Sequence, residues 1–162
     1  MRSLKSRISV WQGNLLLSLI FVAPLIFAPF NHELFEFPKM IFVYFCAVLL
    51  LVSNLWKERL SFTRRDVACY VSTVRKFWPL ALYLASFLIS SFFSIDKTTS
   101  LYGYYTRFNG GLLSILSYLV IFVIMYRFIV TKPEAAKNTI KVMIASSILV
   151  SLYAIAQHFG ID

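Results

Sequence analysis

Five long runs of this sequence contain no Asp, Glu, Lys or Arg, and they constrain the fold more than any other feature. They are 17 to 25 residues long and together hold 100 of the 162 residues: 8–32, 40–56, 77–95, 108–126 and 142–161. A helix that crosses the hydrocarbon core of a bilayer needs about 20 mostly apolar residues, with a range of about 17–25. Only 14% of the residues are charged, against about 25% in soluble domains. The sequence therefore excludes a soluble enzyme, a disordered tail and a secreted disulfide scaffold.

These runs predict an all-α fold, a polytopic integral membrane helical bundle with five transmembrane helices. We expect residues 1–162 to form a single transmembrane domain whose spans lie at about 11–30, 40–56, 77–93, 111–128 and 140–158. Two longer loops separate the spans, at 57–76 and 94–110. The bilayer is then the first partner of the chain.

The basic residues predict the orientation of the bundle. The N-terminus, the loop 57–76 and the loop 127–141 carry 13 of the 16 Lys and Arg residues, and the alternate side carries only Lys39, Lys97 and Arg107. The positive-inside rule places the basic side in the cytoplasm. The N-terminus is thus expected inside, the C-terminus outside, the loop 57–76 in the cytoplasm and the loop 94–110 outside. We interpret the net charge of +9 as a topology signal, with no nucleic acid as partner.

Two local patterns predict helix starts. Ser94 or Asp96 can cap a short helix in the outer loop. Thr131-x-x-Glu134 has the spacing of a capping box, with Pro133 in the first turn, and predicts that the fifth helix begins near Pro133. Asn109-Gly110-Gly111 predicts a turn before the fourth span.

The runs carry no acidic or strongly basic side chain, which disfavours an ion-coupled transporter. No nucleotide-binding, GxSxG or HExxH motif occurs, and Cys46 and Cys69 form no metal or disulfide pattern. We therefore expect no cofactor and no metal.

The outer loop is the one stretch whose composition points to chemistry. Arg107 lies there among Tyr102, Tyr104, Tyr105 and Phe108. The planar guanidinium binds phosphate through paired donors, and tyrosine rings and hydroxyls suit sugars. One interpretation is a site for a lipid-linked phosphate or sugar at the outer face. The other is an interfacial aromatic belt with an anchoring Arg, and composition leaves both open.

Three stretches of the chain resemble the N-terminal part of the O-antigen ligase-like superfamily. They are Phe35-x-Phe37-Pro38-Lys39, then Ser94-Ile95-Asp96-Lys97-x-x-Ser100-Leu101-x-Gly103-x-x-x-Arg107-x-Asn109-Gly110, and Tyr153-x-x-x-Gln157-His158-Phe159-Gly160-Ile161-Asp162. The resemblance implies a membrane glycosyltransferase of the bacterial cytoplasmic (inner) membrane. Such enzymes transfer glycans from a polyprenyl-diphosphate carrier at the outer face, without an essential metal.

The resemblance also limits what these residues can do. The family's catalytic groups are attributed to a large outer loop late in the chain, and this sequence ends at Asp162 without one. We therefore expect a part of a longer protein, completed by further C-terminal helices or a partner subunit, and no catalytic residue here. Whether the chain itself is an enzyme stays open. The candidate substrate-binding residues are Arg107, Tyr104, Tyr105, Asn109 and Lys39.

Two other functions remain open from the sequence. The chain could be a complete, non-enzymatic accessory or assembly protein of the membrane. It could also be half of a dimerising transporter, although the charge-free spans count against that.

Overall fold

The structure is a computed structural model that describes residues 2–26, 36–59, 77–104 and 107–159. The described residues form helices and turns with no β-strand, so the all-α prediction is confirmed. The α-helices are α1 (Arg2–Val22), α2 (Glu36–Arg59), α3 (Trp78–Phe92), α4 (Lys97–Tyr102), α5 (Leu112–Thr131) and α6 (Pro133–His158). A single 3-10 turn, Ala23–Leu25, follows α1 and contains Pro24.

Four helical segments of the described chain are long and apolar enough to cross a bilayer. They are Ser6–Leu25, Glu36–Lys57, Leu112–Thr131 and Pro133–His158. Helix α3 is apolar but has only 15 residues, or about 22 Å at 1.5 Å per residue, against a hydrocarbon core of about 30 Å. The chain is thus a multi-pass membrane protein in which the third predicted span is a shorter apolar helix.

The boundary between α5 and α6 differs in part from the sequence prediction. Helix α6 begins at Pro133, as expected, but its N-cap residue is Lys132 and no side chain caps it. Helix α5 continues to Thr131, whose hydroxyl donates a hydrogen bond back to the carbonyl of Arg127. A threonine inside a helix commonly makes this bond to the preceding turn. The capping-box prediction is therefore wrong, because Thr131 ends one helix and cannot cap the next.

Helix α2 packs against both α1 and α5, and α1 also packs against α6. The buried core is formed by Leu16, Leu50 and Ile124, one from each of α1, α2 and α5. Helix α1 approaches α5 closely at Gly13, where an added Cβ would lie 2.5 Å from the ring of Phe128. Small residues allow such approaches between membrane helices.

Long-range contacts show that α1 and α2 run in opposite directions, as do α3 and α5, whereas α2 and α5 run in the same direction. Gln12 near the start of α1 bonds Ser53 near the end of α2, at 3.0 Å. Tyr118 and Met40, both near the starts of their helices, are 3.1 Å apart, so α5 and α2 begin at the same end. The ring of Phe77, just before α3, packs against the rings of Phe122 and Tyr126 in the second half of α5. We call the end with the N-terminus of α1 the basic end, and the end with residues 94–111 the loop end.

The alternation of the helices is the pattern on which the orientation prediction depends. Because 13 of 16 basic residues fall on one side of the five spans, we expect the basic end inside and the loop end outside. Alkaline phosphatase fused after Asp162 should be active, and a fusion at Arg65 should be inactive. Residues 60–76 of the predicted cytoplasmic loop lie outside the described residues. Enzyme activity at Arg65 would reverse the orientation.

Candidate functional site at the loop end

The connection from α3 to α5 begins with the short helix α4, which Asp96 caps. The carboxylate accepts hydrogen bonds from the amides of Thr98 and Thr99, at 3.0 and 3.3 Å, and from the Thr99 hydroxyl. These bonds favour the charged form, so the pKa of Asp96 lies below its usual 3.8, with the Thr99 hydroxyl as the largest cause. The predicted cap is confirmed for Asp96. The Ser94 hydroxyl donates instead to the Asp96 carbonyl, at 3.0 Å.

After α4 the chain folds back until its two backbone segments touch. The amide of Tyr104 donates to the carbonyl of Asn109 at 3.2 Å. An added Cβ at Gly103 would lie 2.3 Å from that carbonyl oxygen, and one at Gly111 would lie 2.2 Å from the Gly103 nitrogen. Gly103 also has φ of +88°. The two glycines therefore allow a backbone contact that any side chain would block.

Tyrosines from two long helices form hydrogen bonds to the folded-back segment 103–111. The hydroxyl of Tyr44 on α2 donates to the carbonyl of Phe108. The hydroxyl of Tyr118 on α5 lies 3.3 Å from Asn109 Oδ1 and 3.1 Å from Met40 Sδ. The loop is thus fastened to both α2 and α5, which pack against each other.

Arg107 has a side chain that is partly exposed on this loop. Its backbone amide donates to the carbonyl of Tyr104 at 3.0 Å. Its Nε lies 3.5 Å from Oε2 of Glu36, and the two side chains are 51% and 45% exposed. The neighbouring Phe108 ring packs on Phe37, with centroids 5.5 Å apart. A pair this exposed contributes about 0.2–1 kcal/mol, so an anion in solution can compete with Glu36 for the guanidinium.

The structure gathers most of the sequence-predicted site residues at the loop end. Arg107, Tyr104 and Asn109 lie in one loop, and Tyr104 is exposed. Lys39 lies on α2, three residues after Glu36, and is partly buried. Residues three apart on a helix share a face, so Lys39 lies on the same side of α2 as the acid that pairs with Arg107. Tyr105 lies outside the described residues.

Asn109 shapes the loop through its own side chain. Its Oδ1 accepts a hydrogen bond from the Gly110 amide at 2.8 Å, and Gly110 has φ of +82°. The predicted turn at Asn109-Gly110-Gly111 is confirmed. Because this amide oxygen is engaged inside the turn, Asn109 positions the loop that carries Arg107.

Sequence reasoning did not identify three residues of this site: Glu36, Tyr44 and Tyr118. Glu36 falls at the unspecified position of the stretch Phe35-x-Phe37-Pro38-Lys39. The tyrosines have hydroxyls within apolar spans, and a buried tyrosine hydroxyl usually finds a partner. That signal indicates that a partner exists but does not say which residue it is.

The side chains at this loop are of types that can bind an anion. The loop combines a partly exposed guanidinium, exposed aromatic side chains and a rigid turn. Among the described residues no group of three or more His, Cys, Asp or Glu side chains could hold a metal ion.

Comparison with known proteins adds no relative to this picture. No family model, no curated protein and no solved structure matches the chain.

Proposed function

We propose that this chain forms the N-terminal membrane part of an O-antigen ligase-like glycosyltransferase. In this proposal it handles polyprenyl-diphosphate-linked glycans during assembly of cell-envelope polysaccharide. The bundle lies in the cytoplasmic (inner) membrane of a bacterium with its loop end outside. The loop end supplies one wall of the carrier-lipid site, and further helices or a partner subunit supply the catalytic groups.

The observation that carries the proposal is the position of Arg107. Its guanidinium is half-exposed on a loop that is fixed by backbone contact at Gly103 and by Tyr44 and Tyr118. A charge held on a fixed support loses little conformational freedom when it binds, so more of its interaction energy appears as affinity. The planar fork of Arg fits the oxygens of a phosphate, and the loop end is the end predicted to face outside.

Residues of the resemblance also account for the shape of this loop. Asp96 caps α4, Gly103 allows the backbone contact, and Asn109 with Gly110 makes the turn. Phe37, from the motif that opens α2, packs on the loop. Two stretches that are far apart in the sequence therefore support one Arg-bearing structure.

The test is binding and transfer by the purified 162-residue chain in lipid nanodiscs. We expect it to bind a polyprenyl-diphosphate glycan and to transfer none of it to added acceptors, because no base and nucleophile are paired at the described part of the loop. Bound carrier is measured by native mass spectrometry, and product by transfer of radiolabelled glycan.

The control ligand is a polyprenol of the same length without the diphosphate. Equal binding of polyprenol and carrier would show that only the lipid tail is recognised, and would refute a diphosphate site. Glycan transfer above background would place the catalytic groups in this part of the protein.

The second candidate function is a non-enzymatic accessory or assembly protein, and the Arg107–Glu36 pair is the observation that favours it. In that case the pair only joins the loop to α2. The sequence of the gene beyond Asp162 distinguishes the two: about seven further apolar spans and a large outer loop support the glycosyltransferase. Substrate flux through the purified protein would instead support a transporter half.

A further inference from the structure

A second open site lies at the basic end, on the opposite side of the bundle from Arg107. It is a cleft of about 790 Å³ between the start of α1 and the end of α2. This volume is within the range of small-molecule sites, about 300–1,000 Å³. The cleft is lined by Ser6, Arg7, Ile8, Val10, Trp11, Asn14, Leu49, Val52, Ser53 and Trp56.

The walls of the cleft are apolar and face outwards from the bundle. Two of its side chains are the exposed indoles of Trp11 on α1 and Trp56 on α2, and Val10 and Val52 are exposed beside them. Tryptophan concentrates at the level of the lipid headgroups, where its ring meets the acyl chains and its N–H meets water. The cleft thus opens towards lipid at the depth of the membrane surface.

The polar side of the cleft is positively charged. Arg7 lines it, and none of the described lining residues is acidic. Lys57 is held beside it by Gln12, whose Oε1 lies 3.5 Å from the ammonium. Gln12 is only 5% exposed and donates through Nε2 to Ser53, a lining residue, at 3.0 Å. Lys57 therefore lies next to the apolar walls, with the buried amide as one of its contacts.

We propose that this cleft binds one phospholipid with an anionic headgroup. An acyl chain lies along Trp11 and Trp56, and the headgroup phosphate lies at Arg7 and Lys57. Charge complementarity identifies the occupant: Arg7 and Lys57 attract an anion, none of the described lining residues is acidic, and the apolar, outward-facing walls select an anion that carries acyl chains. The site is independent of the proposed function because it uses other residues at the opposite end of the bundle.

The three tryptophans of the chain allow a direct test, because two line the cleft and the third, Trp78, does not. Trp78→Phe leaves Trp11 and Trp56 as the only fluorophores of that type. The protein is reconstituted in vesicles that contain equal small fractions of brominated phosphatidylglycerol or brominated phosphatidylcholine, and quenching gives the relative lipid affinity. We expect a preference of about five- to thirtyfold for phosphatidylglycerol, since each basic residue near an anionic lipid contributes about fivefold.

Charge variants tie that preference to the cleft. Arg7→Gln should lower the preference about fivefold, and Arg7→Lys should retain it. Lys141→Gln removes one charge from an exposed position of α6 outside the lining and should leave the preference unchanged. Circular dichroism confirms that each variant keeps its helix content.

Three results would overturn the proposal. One is equal quenching by the two lipids. Another is evidence of attraction to surface charge alone. That evidence would be the same lipid preference at Trp78, measured after Trp11→Phe and Trp56→Phe, or an equal loss of preference with Lys141→Gln. The third is an absence of quenching by either lipid, which would show that a protein segment covers the cleft.

Discussion

Replacing Arg107 by alanine is expected to weaken binding of a polyprenyl-diphosphate carrier by about ten- to a thousandfold. A hydrogen bond to a charged group is worth about 1.5–3 kcal/mol, and about 1.4 kcal/mol corresponds to a factor of ten. A ten- to thousandfold loss is about 1.4–4.2 kcal/mol, which corresponds to one such bond or to two of the weaker ones. Arg107→Lys should restore only part of the affinity, because Lys keeps the charge but lacks the planar fork. Affinity is measured in nanodiscs by titration with the carrier.

Two matched variants separate phosphate binding from the ion pair. Lys97→Ala removes one positive charge from the exposed start of α4 at the same end and should change the affinity little. Glu36→Gln breaks the pair with Arg107 and should lower stability by less than about 1 kcal/mol, without the large loss of affinity.

A different set of affinities would show that Arg107 serves only as an anchor at the membrane interface. An interfacial anchor works as well with Lys as with Arg, since both side chains reach the interface. Full affinity in both Arg107→Ala and Arg107→Lys, with normal expression, would remove the loop-end site from the proposal. An equal, small loss in Arg107→Ala and Glu36→Gln would show that the pair only fastens the loop.

The sequence predicted the parts of this structure that depend on neighbouring residues. Runs without charge identify helices because an ionised side chain is costly in the bilayer. Asp96 was recognised as a cap because its partners are two and three residues away. The prediction for Thr131 was wrong because its hydroxyl has two possible local partners. It can accept from an amide of the following helix or donate to a carbonyl of the preceding turn, and the spacing of residues does not decide between them.

The parts that spacing could not predict are contacts across the bundle. Tyr44 meets Phe108, and Tyr118 meets Met40, at sequence separations of 64 and 78. Glu36 meets Arg107 only because α2 and α5 begin at the same end. Such contacts follow from how helices pack. A hydrophobic pattern indicates that a helix is buried but not which neighbour it meets.

Gly103→Ala is expected to open the loop that carries Arg107. The new Cβ would lie 2.3 Å from the Asn109 carbonyl oxygen, and overpacking of this kind costs about 1–3 kcal/mol. The backbone at Gly103, with φ of +88° and ψ of −172°, is also one that glycine alone adopts readily, at a further cost of about 1–3 kcal/mol for other residues. We therefore expect a local loss of about 2–6 kcal/mol, the sum of these two costs.

Gly110→Ala is the matched control, because Gly110 also has positive φ, +82°, but nothing lies within 4 Å of an added Cβ. It should incur only the left-handed strain of about 1–2 kcal/mol.

Trypsin cleavage after Arg107, mapped by mass spectrometry in nanodiscs, follows the population of the open loop when opening is fast. The midpoints of the two ranges, about 4 and about 1.5 kcal/mol, differ by about 2.5 kcal/mol. We therefore expect Gly103→Ala to be cleaved there about seventyfold faster than Gly110→Ala, since about 1.4 kcal/mol is a factor of ten. Carrier affinity should fall in the same order, because an open loop no longer holds the guanidinium in place. Equal cleavage of the two variants would contradict the close backbone contact, and unchanged affinity in an opened Gly103→Ala variant would show that binding does not need the loop's shape.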